Sequence, residues 1–225
     1  MRLVSPWGPL IYQNDISEQF HKYLLDGLKK SRRYGDNYKT KLVGQINCQR
    51  GALYDNDKLK SFLNEHIKNF SIANLKRSQE LSLYHEPTTQ SKQYSEINRV
   101  IDGFEKNPEK FPIEYNLPEP WVNFMKGNEY NPLHEHTGEI SAIIFIDIPD
   151  QIKDERDQSQ FGHKTNGCLE FIYDCSTSFV VTPRTGMIFL FPAFLKHTVY
   201  PYTSDVERIT MSFNLPDKPK FLIEP

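Results

Sequence analysis

The rhythm of apolar and polar positions changes near residue 120. Before it, apolar residues recur every three or four positions, as on a helix; after it, they alternate or run together in short blocks, as on strands. Ile16, Phe20, Tyr23, Leu24 and Leu28 form one helical stripe. Asp15 reads as the N-cap of this helix, with Glu18 three residues on at capping-box spacing, and Lys29, Lys30, Arg32 and Arg33 crowd its far end, where cations offset the helix dipole. Leu59, Phe62, Leu63, Ile67 and Phe70 make a second stripe and predict a helix over 57–70, with His66 beside it as a packed neighbour. His21 and His85 read the same way. Residues 3–13 suggest an opening extended segment broken by Pro6, Gly8 and Pro9, and residues 34–50 are polar and irregular with one strand at 41–46. The stretch 72–84 fits helix or strand, and Pro87-Thr88-Thr89 marks a loop. Gly103, Pro108, Pro112, Pro118 and Pro120 then punctuate 103–120 and set a soft boundary.

From Trp121 the periods shorten. Trp121 to Met125 alternates as a strand, Gly127-Asn128 marks a turn, and Ser141 to Ile146 is a nearly continuous apolar run, as in a strand buried on both faces. Residues 150–167 are charged and polar with Ile152 and Phe161 as the large apolar members, which predicts a long loop and a candidate lid. Strand-like runs follow at 168–173, 179–182, 186–191, 198–202 and 207–215. Many short strands with close turn signals predict a jelly roll or barrel. The expected organisation is α+β: a helical support region, 1–118, packed on a β core, 119–225, as one compact domain, because the helical stripes need the sheet to cover them.

Composition narrows the field. At 225 residues the chain is long enough for a full core, and a net charge of −2 without a basic block argues against a general nucleic-acid binder. No apolar run is long enough to span a bilayer, and the first residues lack the apolar core of a signal peptide. Cys48, Cys168 and Cys175 are odd in number and show no paired spacing, which points to a reducing cytoplasm.

The candidate chemistry sits in the β region. His134 and His136 at i and i+2 on a strand face one way and can chelate one metal, with Glu135 turned away. A lone pair of this kind is a weak signal. His197 adds a third imidazole, and Arg208 follows eleven residues on, in a strand with Thr210, Ser212 and Asn214 on its own face. Three imidazoles with open positions suit Fe, Zn, Cu or Ni in a catalytic site, and a guanidinium flanked by hydroxyls suits a carboxylate. By itself Arg208 also reads as a surface partner of Asp205 or Glu207.

The ordered set of His134-Glu135-His136, the strand from Ser141 to Pro149, the run from Gly186 to Pro201 and Glu207 to Asn214 resembles the 2-oxoglutarate- and iron(II)-dependent oxygenases, and within them a 2OG-Fe(II) oxygenase group of bacteria and phages. The resemblance covers residues 119–215. It implies a double-stranded β-helix (jelly-roll) core, Fe(II) on His134, His136 and His197, and 2-oxoglutarate on Arg208 with Thr210 assisting and Asn123 nearby. It also implies hydroxylation of a substrate C–H bond with release of succinate and CO2, the substrate being a protein side chain or a small molecule. Most members place a carboxylate where His136 stands. Three neutral imidazoles leave the metal one positive charge higher, which strengthens binding of a dianion and weakens retention of the metal. Two rivals stay open: a cupin-type three-His metalloenzyme indifferent to 2-oxo acids, and a non-enzymatic jelly-roll binding module.

Overall fold

The computed structural model describes residues 1–222 apart from 5–7, 83–90, 161, 163, 175 and 176. Pro6, Leu83, Tyr84, His85, the 87–89 turn, Phe161 and Cys175 therefore lie outside the described residues. The described chain is a mixed helix and sheet structure whose sheets are antiparallel. The larger sheet has seven strands, β1 (Arg2–Val4), β2 (Ile11–Asp15), β3 (Cys48–Gly51), β5 (Trp121–Lys126), β7 (Ile140–Asp147), β10 (Met187–Pro192) and β12 (Glu207–Leu215). Their spatial order is β1-β2-β10-β7-β12-β5-β3. The smaller sheet joins β6 (Asn131–His134), β8 (Leu169–Asp174), β9 (Thr177–Val181) and β11 (Lys196–Val199) in the order β6-β11-β8-β9. A short pair, β4 (Ile113–Glu114) with β13 (Lys220–Phe221), closes the C-terminal end onto the 103–120 stretch.

Two apolar clusters divide the interior. The outer one joins α1 (Glu18–Tyr34) and α2 (Asn56–Ser82) to one face of the seven-stranded sheet: Phe20 and Leu24, then Leu63, Ile67 and Phe70, meet Phe124, Ile144, Met211 and Phe213. Leu59, Leu63, Ile67 and Phe70 descend one helix face, and Phe62 stacks on Phe20 with ring centroids 4.7 Å apart. The inner cluster draws on both sheets, with Met125, Phe145, Phe189 and Phe191 from the larger and Leu169, Phe171, Val181 and Val199 from the smaller. It therefore fills the space between them. β7 serves both clusters, since Ala142, Ile144 and Ile146 face outward and Ile143 and Phe145 inward, and all but its last residue are buried. The apolar run at 141–146 is the sequence mark of that double burial.

Several elements differ from the sequence expectation. Helix α1 is capped by Ser17, whose hydroxyl accepts from the Phe20 amide, while Asp15 ends β2 and pairs with Arg184 at 2.6 Å. No strand spans 41–46; the strand at the sheet edge is β3, two residues later, because Cys48 to Gly51 pair with β5. Helix α2 runs on to Ser82, which settles 72–82 as helix, and α3 (Ser91–Lys106) crosses Gly103. The 150–167 loop begins as a helix, α4 (Asp150–Gln158). Ile152 and Arg156, one turn apart, are its buried residues. Glu155 fastens it: burial works against its charge, but bonds from the Ser204 hydroxyl, the Asn166 amide and the backbone N–H groups of Thr203 and Ser204 hold its pKa down to about 2. His66 is the packed neighbour expected, bonded to the Tyr12 hydroxyl at 2.9 Å, and His21 bonds the Ile146 carbonyl at 2.7 Å.

Candidate metal centre

The three histidines converge because of strand register. β6 and β11 run antiparallel with His134 directly opposite His197, so residues far apart in sequence become cross-strand neighbours. Their ring centroids are 4.2 Å apart. His136 is not on the strand, as the i, i+2 argument required, but just beyond the end of β6. Its amide donates to the Ala193 carbonyl at 2.9 Å, and the Ala193 amide donates to Glu139 at 3.1 Å, which ties this segment to the turn before β11. Gly138 permits the tie: its φ is +106°, and a Cβ there would meet the Leu215 carbonyl oxygen at 2.7 Å. The His136 ring then lies 4.9 Å from that of His134 and 5.1 Å from that of His197.

One ring nitrogen from each of the three lies within 4.8 Å of the others. Two are oriented by the backbone. His134 Nδ1 is 2.7 Å from the Pro132 carbonyl and His197 Nδ1 is 2.9 Å from the Leu195 carbonyl. A carbonyl can only accept, so each Nδ1 carries the proton and each Nε2 presents a lone pair. Burial also favours the neutral, ligating form. It lowers the pKa of all three, to about 4 for His136 and about 3 for His197, where the repulsion a protonated His134 would exert adds to the effect of burial. Phe171 and Phe191, with ring centroids 6.1 and 5.0 Å from His197, wall its inner side. Such a donor set suits Fe(II), Zn(II) and their first-row neighbours.

The triad opens into a cavity of about 260 Å³ between the sheets. Arg208, Thr210 and Ser212, alternate residues of β12, line it, as does Asn123 of β5. Arg208 is 2% exposed; its Nη1 donates to the Met125 sulfur at 3.5 Å and its guanidinium lies 5.2 Å from the centre of the Phe145 ring. Its Nε and Nη2 are buried without a partner, and burial lowers its pKa to about 10. Arg208 is thus no surface ion pair; Glu207, one residue back, pairs with Arg32. Glu135, expected to turn away, lines the cavity wall and is exposed.

Sequence reasoning missed three parts of this cavity: Gln49 of β3, Asn131 of β6, and the segment from Lys41 to Ile46. None had a motif to mark it. Gln49 owes its place to β3 joining the sheet beside β5, a pairing between segments about 70 residues apart, and Asn131 owes its place to β6 lying opposite β11. Among the described residues, none of 150–167 lines the cavity.

Residues 119–214 match the family model described as "Putative 2OG-Fe(II) oxygenase". No curated protein matches. Among solved structures, the fold is similar to an oxidoreductase of the 2OG-Fe(II) oxygenase family from Burkholderia pseudomallei, with 14% identity, 62% of this chain and 57% of that chain covered, and a TM-score of 0.37. It is similar to a Pseudomonas putida prolyl-4-hydroxylase at 9% identity, covering 96% of this chain and 93% of that one, with a TM-score of 0.44. It is also similar to a Trichoplax adhaerens prolyl hydroxylase solved with a fragment of hypoxia inducible factor, at 12% identity, 93% and 84% coverage and a TM-score of 0.49. The metal-competent histidines and the buried arginine all lie inside the matched span, so residues 119–214 are similar, site included, to the 2OG-Fe(II) oxygenase family, oxidoreductases whose cofactors are Fe(II) and 2-oxoglutarate.

Proposed function

We propose that this protein is an Fe(II)- and 2-oxoglutarate-dependent dioxygenase that hydroxylates a C–H bond, with His134, His136 and His197 holding the metal and Arg208 holding the far carboxylate of 2-oxoglutarate. The observation that carries this reading is Arg208 itself. A buried guanidinium with two unpaired donor nitrogens costs several kcal/mol unless an anion completes it, on the order of 3–5 kcal/mol for a broken buried pair. It lies in the same cavity as three neutral imidazoles, and a dianion that also chelates the metal meets both needs. Bound there, Fe(II) and 2-oxoglutarate supply the oxygen-dependent oxidation of the C–H bond, with succinate and CO2 as by-products.

The chain's own residues orient and shield. Thr210 offers a hydroxyl beside Arg208, and Asn123 supports it with a bond from Nδ2 to the Thr210 hydroxyl at 3.4 Å. Phe171 and Phe191 exclude water from the inner side of His197. The substrate, a protein side chain or a small molecule, enters past Lys41 to Ile46, which takes over the selector role expected of 150–167. From β5 to β12, consecutive strands cross between the two sheets, except for the β8–β9 hairpin; this alternation supports a double-stranded β-helix as the core. Residues 1–118 act as its support and form one unit with it, since β2 and β3 are strands of the larger sheet and α1 and α2 cover its outer face. The free thiols of Cys48 and Cys168 suit a reducing cytoplasm, and no helix among the described residues is long and apolar enough to cross a membrane.

The test is succinate release from 2-oxoglutarate with Fe(II), alongside iron content. His197→Ala should lose both iron and turnover. Arg208→Ala should keep iron but demand a far higher 2-oxoglutarate concentration. If Arg208→Ala leaves the 2-oxoglutarate response unchanged, the cupin-type reading replaces this one.

A further inference from the structure

We propose that Gln49 is a positioning residue for the co-substrate: it sets the direction of a hydrogen-bond row, Gln49 to Asn123 to Thr210, so that the Thr210 hydroxyl proton is left for the anion beside Arg208. This rests on the reading of the cavity as a 2-oxoglutarate site.

The row is a product of register. Gln49 of β3 stands opposite Asn123 of β5, and Asn123 stands opposite Thr210 of β12, so three cavity-facing side chains line up across three strands. All are buried, at 1%, 5% and 4% exposure. Gln49 Nε2 donates to Asn123 Oδ1 at 2.9 Å, and Asn123 Nδ2 donates to the Thr210 hydroxyl at 3.4 Å. An amide has one donating and one accepting end. When Gln49 donates inward, Asn123 must turn its NH2 to Thr210, and the Thr210 oxygen can only accept from it. The hydroxyl proton then stays uncommitted: among the described residues no acceptor takes it. The reverse direction is equally well bonded inside the row, but there Asn123 Oδ1 claims the Thr210 proton and presents no donor to an anion. A carboxylate at Arg208 therefore selects the direction in which Gln49 Nε2 donates to Asn123 Oδ1, and Gln49 is the residue that must donate to sustain it.

The outer end of the row is built to hold Gln49. A Cβ on Gly44 would come within 2.9 Å of Gln49 Nε2 and 2.2 Å of Asn131 Oδ1, so glycine lets the 41–46 segment close over both amides. Gln49 Oε1 and Asn131 Oδ1 are both buried without a donor. The direction that serves the anion at one end thus leaves acceptors at the other.

The experiment is calorimetric titration of 2-oxoglutarate into the anaerobic Fe(II)-loaded protein, with iron content and thermal unfolding as folding controls. Gln49→Glu keeps the shape but accepts where glutamine donates, so it enforces the reverse direction and should weaken binding by about tenfold. Gln49→Met neither donates nor accepts, leaves Asn123 free to turn, and should weaken binding less. In a Thr210→Val background the proton is gone, so adding Gln49→Glu should change affinity by less than about twofold. A Gln49→Glu penalty that persists undiminished with Thr210→Val would be plain charge repulsion and would overturn the proposal. So would a Gln49→Met effect as large as that of Gln49→Glu, which would mark a packing role. Arg208→Ala binding 2-oxoglutarate like the unaltered protein would instead show that the site reading beneath it is at fault.

Discussion

The two faces of β12 contrast sharply. Ile209, Met211, Phe213 and Leu215 point to the helices and join the outer cluster, where apolar side chains meet apolar side chains. Arg208, Thr210 and Ser212 point between the sheets, where Arg208 keeps two nitrogens unpaired. One strand thus carries a face whose groups are all partnered within the protein and a face whose guanidinium is two partners short, which under the proposed function an anion supplies. Natural interiors leave few polar groups unsatisfied, so the second face is the costly one, and the proposed function gives that cost a reason.

That contrast can be broken by substitution on either face. The largest effect is expected from His197→Ala, which should abolish succinate formation while changing thermal unfolding of the metal-free protein little. Next comes Phe213→Ala on the outer face. It should lower the unfolding free energy by about 3–5 kcal/mol through cavity formation, read by denaturant titration, with the 2-oxoglutarate affinity of the folded fraction preserved. Arg208→Met should act in the opposite sense. It removes an unpaired buried cation, so the ligand-free protein should hold or gain ~1–3 kcal/mol while 2-oxoglutarate binding is lost. If Arg208→Met destabilised the ligand-free protein as Phe213→Ala does, the two faces would not differ as claimed.

A smaller effect sharpens the outer side. His66 sits on the buried side of α2 against the Tyr12 hydroxyl, and burial lowers its pKa below the usual 6.5, partly opposed by Glu65. The unfolded chain therefore takes up the proton first. Stability from this group is fully present above about pH 6.5 and falls as pH drops below it, by at most ~1.4 kcal/mol per pH unit. His66→Gln should flatten that part of the stability profile without altering 2-oxoglutarate binding at neutral pH.

Much of this architecture was legible one residue at a time. The outer stripes of α1 and α2 were readable because helical burial repeats every three to four residues, and β7 because a doubly buried strand is apolar throughout. The error over α4 has the same root: Ile152 and Arg156 hold it down by one apolar and one charged side chain, too little periodicity to register. Ser17 displaced Asp15 as the cap because Asp15 was already engaged in β2. His134, His136, His197 and Arg208 were identifiable by residue type and order. His136 shows the limit, since its approach to the other two comes from the Ala193 bond and not from strand alternation.

What the sequence determined by itself was local: which segments are amphipathic, which are buried on both faces, and which side chains have the chemistry to hold a metal and a carboxylate. Only the tertiary structure decided that His134 lies across from His197, that β3 borders β5, and that Gln49, Asn123 and Thr210 form one row. Those facts are strand registers between distant segments. A register is chosen by the whole sheet, because slipping one strand by a single residue turns every side chain on it to the other face.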